Sequence, residues 1–543
     1  MKQTLLVITT LLLWLIQQLL IGFLLLAGLL YIPAVQNFLV DKAASSLSES
    51  LGMEVSVESV RLSFPLDLDV QGVVAREGSD TLMAVDVLRI DVPLKPLFSG
   101  QANVDEFTLL GAKINTKHYI PDTRVSGTIG SVALKSHGVD LNQETVMLDL
   151  MQLSDARRCV ALSDTAAVDT TTSAPTKWRI NMPNMKVDRT AVALSMPGDS
   201  MRFFLNLHDV TLKEGVFDLG APFYGLERLQ LSGSAVAMGA PAQLDLPVHL
   251  ERFLATSAVQ KDSLFTYLVD SLSATVDSLS YDKSGTLLCG IRGVALREHL
   301  GLRVSNLSGS VYMDSVLLSL PAWNLSTPHS RLTASVQLPW EALEAGSKTG
   351  LRTSIEGSIG SEDIQTALQM VAVEGIEDLL PQVPLNVQLV ADGNMDHLHL
   401  LTCKAELQGL VSLAADGDVL HLIPDSTQQN IHPMSAALNY QMGFQNMRPL
   451  LSRMGIADTT LRIPNGTSVN GTAAFKGNDY KATARMKSLG GNLSIDAATN
   501  LDSERYKVAL LADGFPLSAF LPTLGASDFS GSLTAEGDRK SVV

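Results

Sequence analysis

Two histidines, His397 and His399, are the pair in this sequence best spaced for metal chemistry. Two residues apart in an alternating stretch, they would share one face of a strand. Such a pair can hold zinc when a third ligand joins it. No third ligand is evident in the sequence, so the expectation is a solvated strand face and no metal. Paired acids such as Asp67 and Asp69 alternate outward in the same way and read as a wet face. The three cysteines, Cys159, Cys289 and Cys403, are far apart and form no C-x-x-C. That excludes a disulfide framework and a zinc ribbon, and leaves small buried hydrophobes. The chain has neither a phosphate-binding glycine loop nor a Gly-x-Ser-x-Gly elbow. No catalytic residue and no cofactor are expected, and the chain does not read as an enzyme.

Whatever these residues do, they sit in a chain dominated by alternation. Formal net charge is -16 and no basic stripe is seen, which argues against a nucleic-acid partner. Charged residues make up 18% of the chain and mean hydropathy is positive. Soluble domains carry about 25% charged residues. There is more apolar surface here than a polar-coated sandwich needs.

Residues 3–40 are an uncharged run, Leu-rich over 5–32, longer than the ~20 apolar residues that cross a bilayer. Leu5, Trp14 and Ile32 mark an expected transmembrane anchor, with Trp14 and Tyr31 placed as interfacial aromatics. Its apolar core exceeds that of a cleaved signal peptide and no A-x-A site follows, so an uncleaved signal anchor is expected. Lys2 and the α-amino group put the N-terminus in the cytoplasm and the body outside.

After Pro33 a short amphipathic helix is expected, with Val35, Phe38, Leu39, Leu47 and Leu51 near one face and Gly52 as its C-cap residue. Strands follow. Met53, Val55 and Val57 alternate with polar residues, and Val60, Leu62 and Phe64 resume after a slip at Glu58–Ser59 that suggests a bulge. Residues 154–177 break the pattern and read as a disordered loop. Trp178 restarts the strands, and Phe203, Leu205 and Leu207 alternate with Phe204, Asn206 and His208. The last third repeats an architecture in which a strand is followed by a helix and then by more strands. The helices are expected at 362–380, 447–454 and 517–524, and glycines Gly393, Gly477 and Gly537 follow strands. The expected segments are a transmembrane anchor over 1–33, a helix plus β segment over 34–153, a loop over 154–177, continuing β structure over 178–350, and repeats over 351–543. No capping element follows the last strand, so a longer parent chain is expected.

Many antiparallel strands with one apolar face must cover that face with a second sheet, helices or a ligand. Few helices are expected. Periodicity alone leaves two solutions: a stack of sandwiches, which is the simpler, or one long sheet curved like a gutter around apolar side chains.

The chain resembles the N-terminal part of AsmA-like proteins of the TamB type. The likeness rests on the anchor ending in Tyr31-Ile32-Pro33-Ala34-Val35-Gln36, the helix closed by Gly52, and Val55-Ser56-Val57-Glu58-Ser59-Val60. It continues through Asp80-Thr81-Leu82, Pro93-Leu94-Lys95-Pro96-Leu97 and Phe107-Thr108-Leu109-Leu110-Gly111-Ala112-Lys113-Ile114. The stretch from Trp323 to Leu332 and the strand around Gly531 and Gly537 also have the family's look. The likeness covers the chain loosely and residues 1–115 best. The family's C-terminal domain is not found in this sequence.

That resemblance implies a mostly β fold. A transmembrane helix and a short amphipathic helix would lead into an elongated antiparallel sheet curved into a repeating apolar groove, with a chorein-like N-terminus and a few short helices. It implies an inner-membrane anchor, a periplasmic body, and phospholipid transport between the membranes of a diderm cell. The groove candidates are Val55, Val57, Leu205, Leu207, Leu385, Val387 and Leu389, whose role would be collective. The expected partners are phospholipid acyl chains and the inner membrane. A second function is implied for the TamB branch, in which a scaffold assists insertion or secretion of outer-membrane and autotransporter proteins with an outer-membrane β-barrel partner. A third reading, a surface adhesin or stalk, needs only sandwiches.

Overall fold

The structure is a computed structural model that describes residues 28, 31–63, 67–93, 104–117, 123–140, 144–162, 177–196, 201–239, 246–255, 267–344, 346–370, 382–422, 433–503, 505–525 and 528–538. Leu5 and Trp14 of the expected anchor lie outside these residues. Among the described residues no helix is long and apolar enough to cross a membrane.

Ile32, extended and exposed, precedes helix α1 (Pro33–Leu51), which begins on Pro33 and ends where Gly52 turns left-handed at φ 68°. Both ends follow from sequence, because proline lacks the N–H that the first turn cannot use and glycine enters the left-handed region without strain. Of the expected apolar face, the side chains of Leu39, Leu47 and Leu51 lie outside the described residues. Phe38 is 65% exposed, whereas Gln36 is buried. The Gln36 amide donates to the Leu62 carbonyl at 3.0 Å and accepts from the Leu62 N–H at 3.2 Å. The Ser48 hydroxyl accepts from the Val55 N–H at 2.9 Å. A strand edge offers unpaired backbone groups, and a side-chain amide satisfies both at once where an apolar side chain satisfies neither.

The chain divides into two compact units, Met1–Leu279 and Ser280–Val543. The first contains β1 (Glu54–Ser56), β2 (Ser59–Ser63), β3 (Asp67–Glu77), β4 (Asp80–Asp91), β5 (Glu106–Asn115), β6 (Thr123–Asp140) and β7 (Thr145–Leu162). It continues with β8 (Arg179–Ser195), β9 (Arg202–Asp218), β10 (Phe223–Gly239), helix α2 (Leu246–Ala255) and most of β11 (Tyr267–Tyr281). β1 and β2 both pair with β3, and from β3 to β10 each strand pairs with the next. All these pairs are antiparallel except β7 with β8, which is parallel.

β7 corrects the expected loop over 154–177. It continues as strand to Leu162, and residues 163–176 lie outside the described residues. Ser154, Asp155, Arg157 and Arg158 look like loop by composition, but β6 and β8 flank them, and Ser154, Arg157 and Arg158 pair with both.

A crease crosses this sheet. On successive strands Gly72, Asp86, Gly111, Gly130, Asp155, Arg189, His208 and Gly233 occupy one cross-strand row and drop out of the ladder, while the register on both sides is unshifted. Gly72, Gly111, Asp155, Arg189 and Gly233 have positive φ. The slip expected at Glu58–Ser59 is the first member of this row. No register change results, because every neighbour slips at the same place. Several glycines of the row face side chains of a neighbouring strand for steric reasons. A Cβ on Gly72 would lie 2.6 Å from that of Glu58, one on Gly130 would lie 2.6 Å from that of Asp155, and one on Gly111 would collide with the Asp86 carboxylate. At the two adjacent non-glycine left-handed positions Arg189 forks onto Asp155, with Nε–Oδ1 at 2.7 Å and Nη2–Oδ2 at 2.8 Å. The hydrogen bond from Arg189 holds the Asp155 carboxyl below its usual range.

The second unit is an antiparallel meander in which each strand from β12 to β25 pairs with the next. It runs β12 (Leu287–Glu298), β13 (Arg303–Met313), β14 (Leu317–Ser326), β15 (Arg331–Pro339), β16 (Leu351–Ile359), α3 (Ser361–Met370), β17 (Leu385–Gly393), β18 (His397–Leu407), β19 (Val411–Leu420) and β20 (Ser435–Phe444). Then come α4 (Arg448–Arg453), β21 (Thr467–Lys476), β22 (Asp479–Ser488), β23 (Gly491–Asn500), β24 (Arg505–Phe515), α5 (Leu517–Phe520) and β25 (Phe529–Asp538). The expected architectural repeat is present, with helices after β16, β20 and β24, one for every fourth strand. The described part of the first of these helices is shorter than expected and ends at Met370; residues 371–381 lie outside the described residues. Within each unit the strands belong to one open sheet rather than to the two facing sheets of a sandwich.

The crease yields a stability test. Gly78 and Gly111 both have positive φ, but a Cβ on Gly78 meets nothing while one on Gly111 strikes Asp86. Gly78→Ala should cost about 1–2 kcal/mol for the left-handed backbone alone. Gly111→Ala should cost clearly more, read as a lower denaturant midpoint for the first unit. Equal costs would mean that the crease is not sterically set.

Candidate functional site

The residues singled out in the sequence converge on one sheet face in each unit. In the first unit directly opposite residues form cross-strand rows. One row reads Val55, Ala75, Met83, Ile114, Gly127, Arg158, Val192, Leu205 and Val236. Directly opposed residues project to the same face, so Val55 and Leu205 share it across the whole sheet. Val57 lies between β1 and β2, at the position opposite Val73, because Ser56↔Val74 and Ser59↔Gln71 keep one register. From Val73 that second row passes through Val85, Ala112, Ile129 and Ala156 and reaches Leu207. The pairs Val55/Val57 and Leu205/Leu207, far apart in sequence, therefore stand in the same two rows.

Beyond the crease two further rows continue this face, one from Val60 to Leu231 and one from Leu62 to Leu229. Leu88, Leu109, Val132 and Leu153 of the nearer row pack against the cluster of Val85, Ala112, Ile129 and Ala156 on the other side. Without the crease, residues three apart on a strand would face opposite sides. The two consecutive residues at the crease restore the phase, so apolar side chains on both sides of it meet.

The four rows carry one charged side chain, Arg158. Burial pushes its guanidinium below the ordinary arginine value. Sequence reading missed this residue because it placed Arg158 in a loop.

Phe204 corrects another expectation. Alternation assigned it to the wet face beside Asn206 and His208, but it is 2% exposed. It lies under α2, whose Leu250 and Phe253 close a cluster with Cys159, Ala191, Ala193, Ala237 and Leu268; the Phe204 and Phe253 ring centroids are 5.9 Å apart. The helix was not anticipated. Its signal was present, since Leu246, Leu250 and Phe253 recur at helical spacing. Thus the face opposite Leu205 and Leu207 has its own local cover, while Leu205, Leu207, Val192 and Val236 remain half-buried.

In the second unit Leu385, Val387 and Leu389 stand in three adjacent rows of one face. Leu389 belongs to the row Ile355, Leu389, Cys403, Ala415, Tyr440, Gly471, Ala484, Ile495, Leu510 and Leu533. Val387 belongs to the next, which passes Leu413, Met442, Val469, Met486 and Leu493. Asn386 and Gln388 point the other way, opposite Glu406 and Lys404. Most side chains in these rows are half-buried, which is what an apolar face without a second layer looks like. One part is covered, where Phe520 on α5 packs with Ala512 and Phe515, against Ile463, Met486, Leu493 and Leu521.

Next to it the same face holds an apolar cleft of about 430 Å³. Its floor is built largely of alanine, from Ala473, Ala482 and Ala497 between Leu438 and Val508. Phe475, Tyr480 and Tyr506 line its rim, with Phe475 and Tyr480 stacked at 5.9 Å. The small side chains leave the volume open. A second cavity of about 450 Å³ lies behind it, where Lys481, Arg505, Lys507 and Glu536 belong to the opposite, charged face.

Neither a protein-family model nor a curated protein matches the chain.

Filling the cleft gives a direct test of its accessibility. Ala497→Trp should lower the affinity of an apolar dye such as Nile red by at least about tenfold, or 1.4 kcal/mol. Binding unchanged by the tryptophan would place the dye elsewhere.

Proposed function

We propose that the chain is a non-enzymatic AsmA/TamB-like protein that carries phospholipid between the inner and outer membranes of a diderm cell. In this reading residues 1–33 anchor it by a single span in the inner membrane, with the N-terminus in the cytoplasm and the body in the periplasm. In each unit an apolar sheet face shields acyl chains as a groove, the one carrying Val55, Val57, Leu205 and Leu207 in the first and the one carrying Leu385, Val387 and Leu389 in the second. Head groups remain in water. Helix α1, tied to the edge of β2 through Gln36, closes the membrane-proximal end, as in chorein-type proteins.

The observation that carries this reading is an apolar face that continues from strand to strand with half-exposed side chains. A protein that needed only stability would cover such a face, because buried apolar area contributes about 25 cal/mol per Å². The crease adds support, since it keeps the apolar rows on both of its sides on one face. Transfer along such a face needs no reaction chemistry, only uniform apolar contact without deep binding minima.

A second reading draws on β25, where Phe529 and Leu533 are exposed. In it, strands of the chain pair by β-augmentation with an outer-membrane barrel or its clients, the scaffold role in outer-membrane biogenesis and protein secretion.

Substitutions on the two faces separate these readings. Val387→Glu places a charge in the middle of the apolar face and should block movement of labelled phospholipid between inner- and outer-membrane fractions. Gln388→Glu, on the polar face, should leave it intact. Normal flux in folded Val387→Glu protein would contradict the conduit. If, in addition, Thr534→Pro on β25 abolished outer-membrane protein assembly, the scaffold would stand in its place.

A further inference from the structure

The histidine pair that lacked a partner in the sequence has one in the fold. His397 and His399 stand on the polar face of β18, away from Leu398 and Leu400. The register of β19 sets Asp418 directly opposite His399. The two imidazole centroids are 4.0 Å apart. His397 Nε2 lies 3.0 Å from Asp418 Oδ1, and His399 Nδ1 contacts the same oxygen. The three atoms lie within 4.8 Å of one another.

We propose that His397, His399 and Asp418 bind a late first-row divalent metal ion, with Zn²⁺ as the type case. Zinc takes imidazole nitrogen and carboxylate oxygen at about 2.0–2.2 Å, so ligand atoms around one ion stand roughly 3–3.6 Å apart. The separation of His397 Nε2 from Asp418 Oδ1 is at that scale, and no two of the three atoms are more than 4.8 Å apart. Imidazole with carboxylate suits zinc, copper and nickel, and does not suit calcium or magnesium, which prefer oxygen alone. Each ring now turns one nitrogen to the carboxylate. A neutral imidazole can carry its proton on the other nitrogen and offer this one as a lone pair, so a dication replaces two N–H contacts without moving either strand.

The backbone holds the set in place. Asn394 Oδ1 accepts from the N–H groups of Asp396 and His397, at 3.0 and 2.9 Å, and fixes the turn that launches β18. Asp392 on β17 lies opposite His399 on the other side and adds a second carboxylate nearby. All three candidate ligands are close to half exposed, which leaves water access to the remaining coordination positions. The site is on the face opposite Leu389 and does not depend on the lipid reading.

The test is calorimetric titration of Zn²⁺ into the full chain carrying no histidine tag. The expected result is one saturable site per chain, weakened at least about tenfold by His397→Ala, His399→Ala and Asp418→Asn. His329→Ala, which removes a ring 3.6 Å from Glu362, should leave it unchanged. Circular dichroism would confirm that the three exposed substitutions keep the β content. Cobalt loading adds a second readout, a visible spectrum that the same three substitutions abolish. No saturable binding, or binding that all three variants retain, would overturn the assignment.

Discussion

Register is the constraint on which the rest depends. An antiparallel pair puts directly opposite residues on one face, so a single unshifted register carries an apolar row from strand to strand. In the second unit the row through Leu389 runs from Ile355 on β16 to Leu533 on β25, and a one-residue bulge at β18 beside it leaves the apolar residues on one face. A slip of one residue that no bulge absorbs would send the later apolar side chains of that strand to the wet side. The sequence prevents this by placing polar or charged residues at nearly every intervening position, Asn386, Gln388, Lys404 and Glu406 among them.

The crease solves a related problem in the first unit. Residues three apart on a strand normally face opposite sides, so the apolar rows on either side of the crease would fall on different faces. Here two consecutive residues on each strand leave the apolar face together, and the pattern resumes in phase on the far side. Glycines at 72, 111, 130 and 233 make room for side chains on the neighbouring strands. Where glycine is absent, at Asp155 and Arg189, a bidentate ion pair bridges two strained strands. The feature is cooperative, because each position is defined by its neighbour as much as by its own residue.

Much of this was legible in the chain. Two-residue alternation located Val55, Val57, Leu205, Leu207, Leu385, Val387 and Leu389 on apolar faces, and Pro33 and Gly52 bracketed α1. The strand–helix–strand repeat was visible because its helices interrupt a strong period. What escaped depends on partners distant in sequence. The slip at Glu58–Ser59 looked like an isolated bulge, and only pairing reveals that it is one of a row. Composition turned the end of β7 into a loop, because Asp155, Arg157 and Arg158 are polar, and the partners of the two arginines lie on strands distant in sequence. Phe204 was assigned by alternation alone, which cannot see a helix arriving from 246–255. Asp418 lies 19 residues beyond His399 and joins it only through the β18–β19 hairpin.

The central claim is that the apolar face is occupied by lipid, and site-specific photo-crosslinking along 385–389 in cells tests it most directly. Lipid adducts at Leu385, Val387 and Leu389, with none at Asn386 or Gln388, are the predicted result. Protein adducts, or adducts without a two-residue period, would contradict it and show that protein already covers this face.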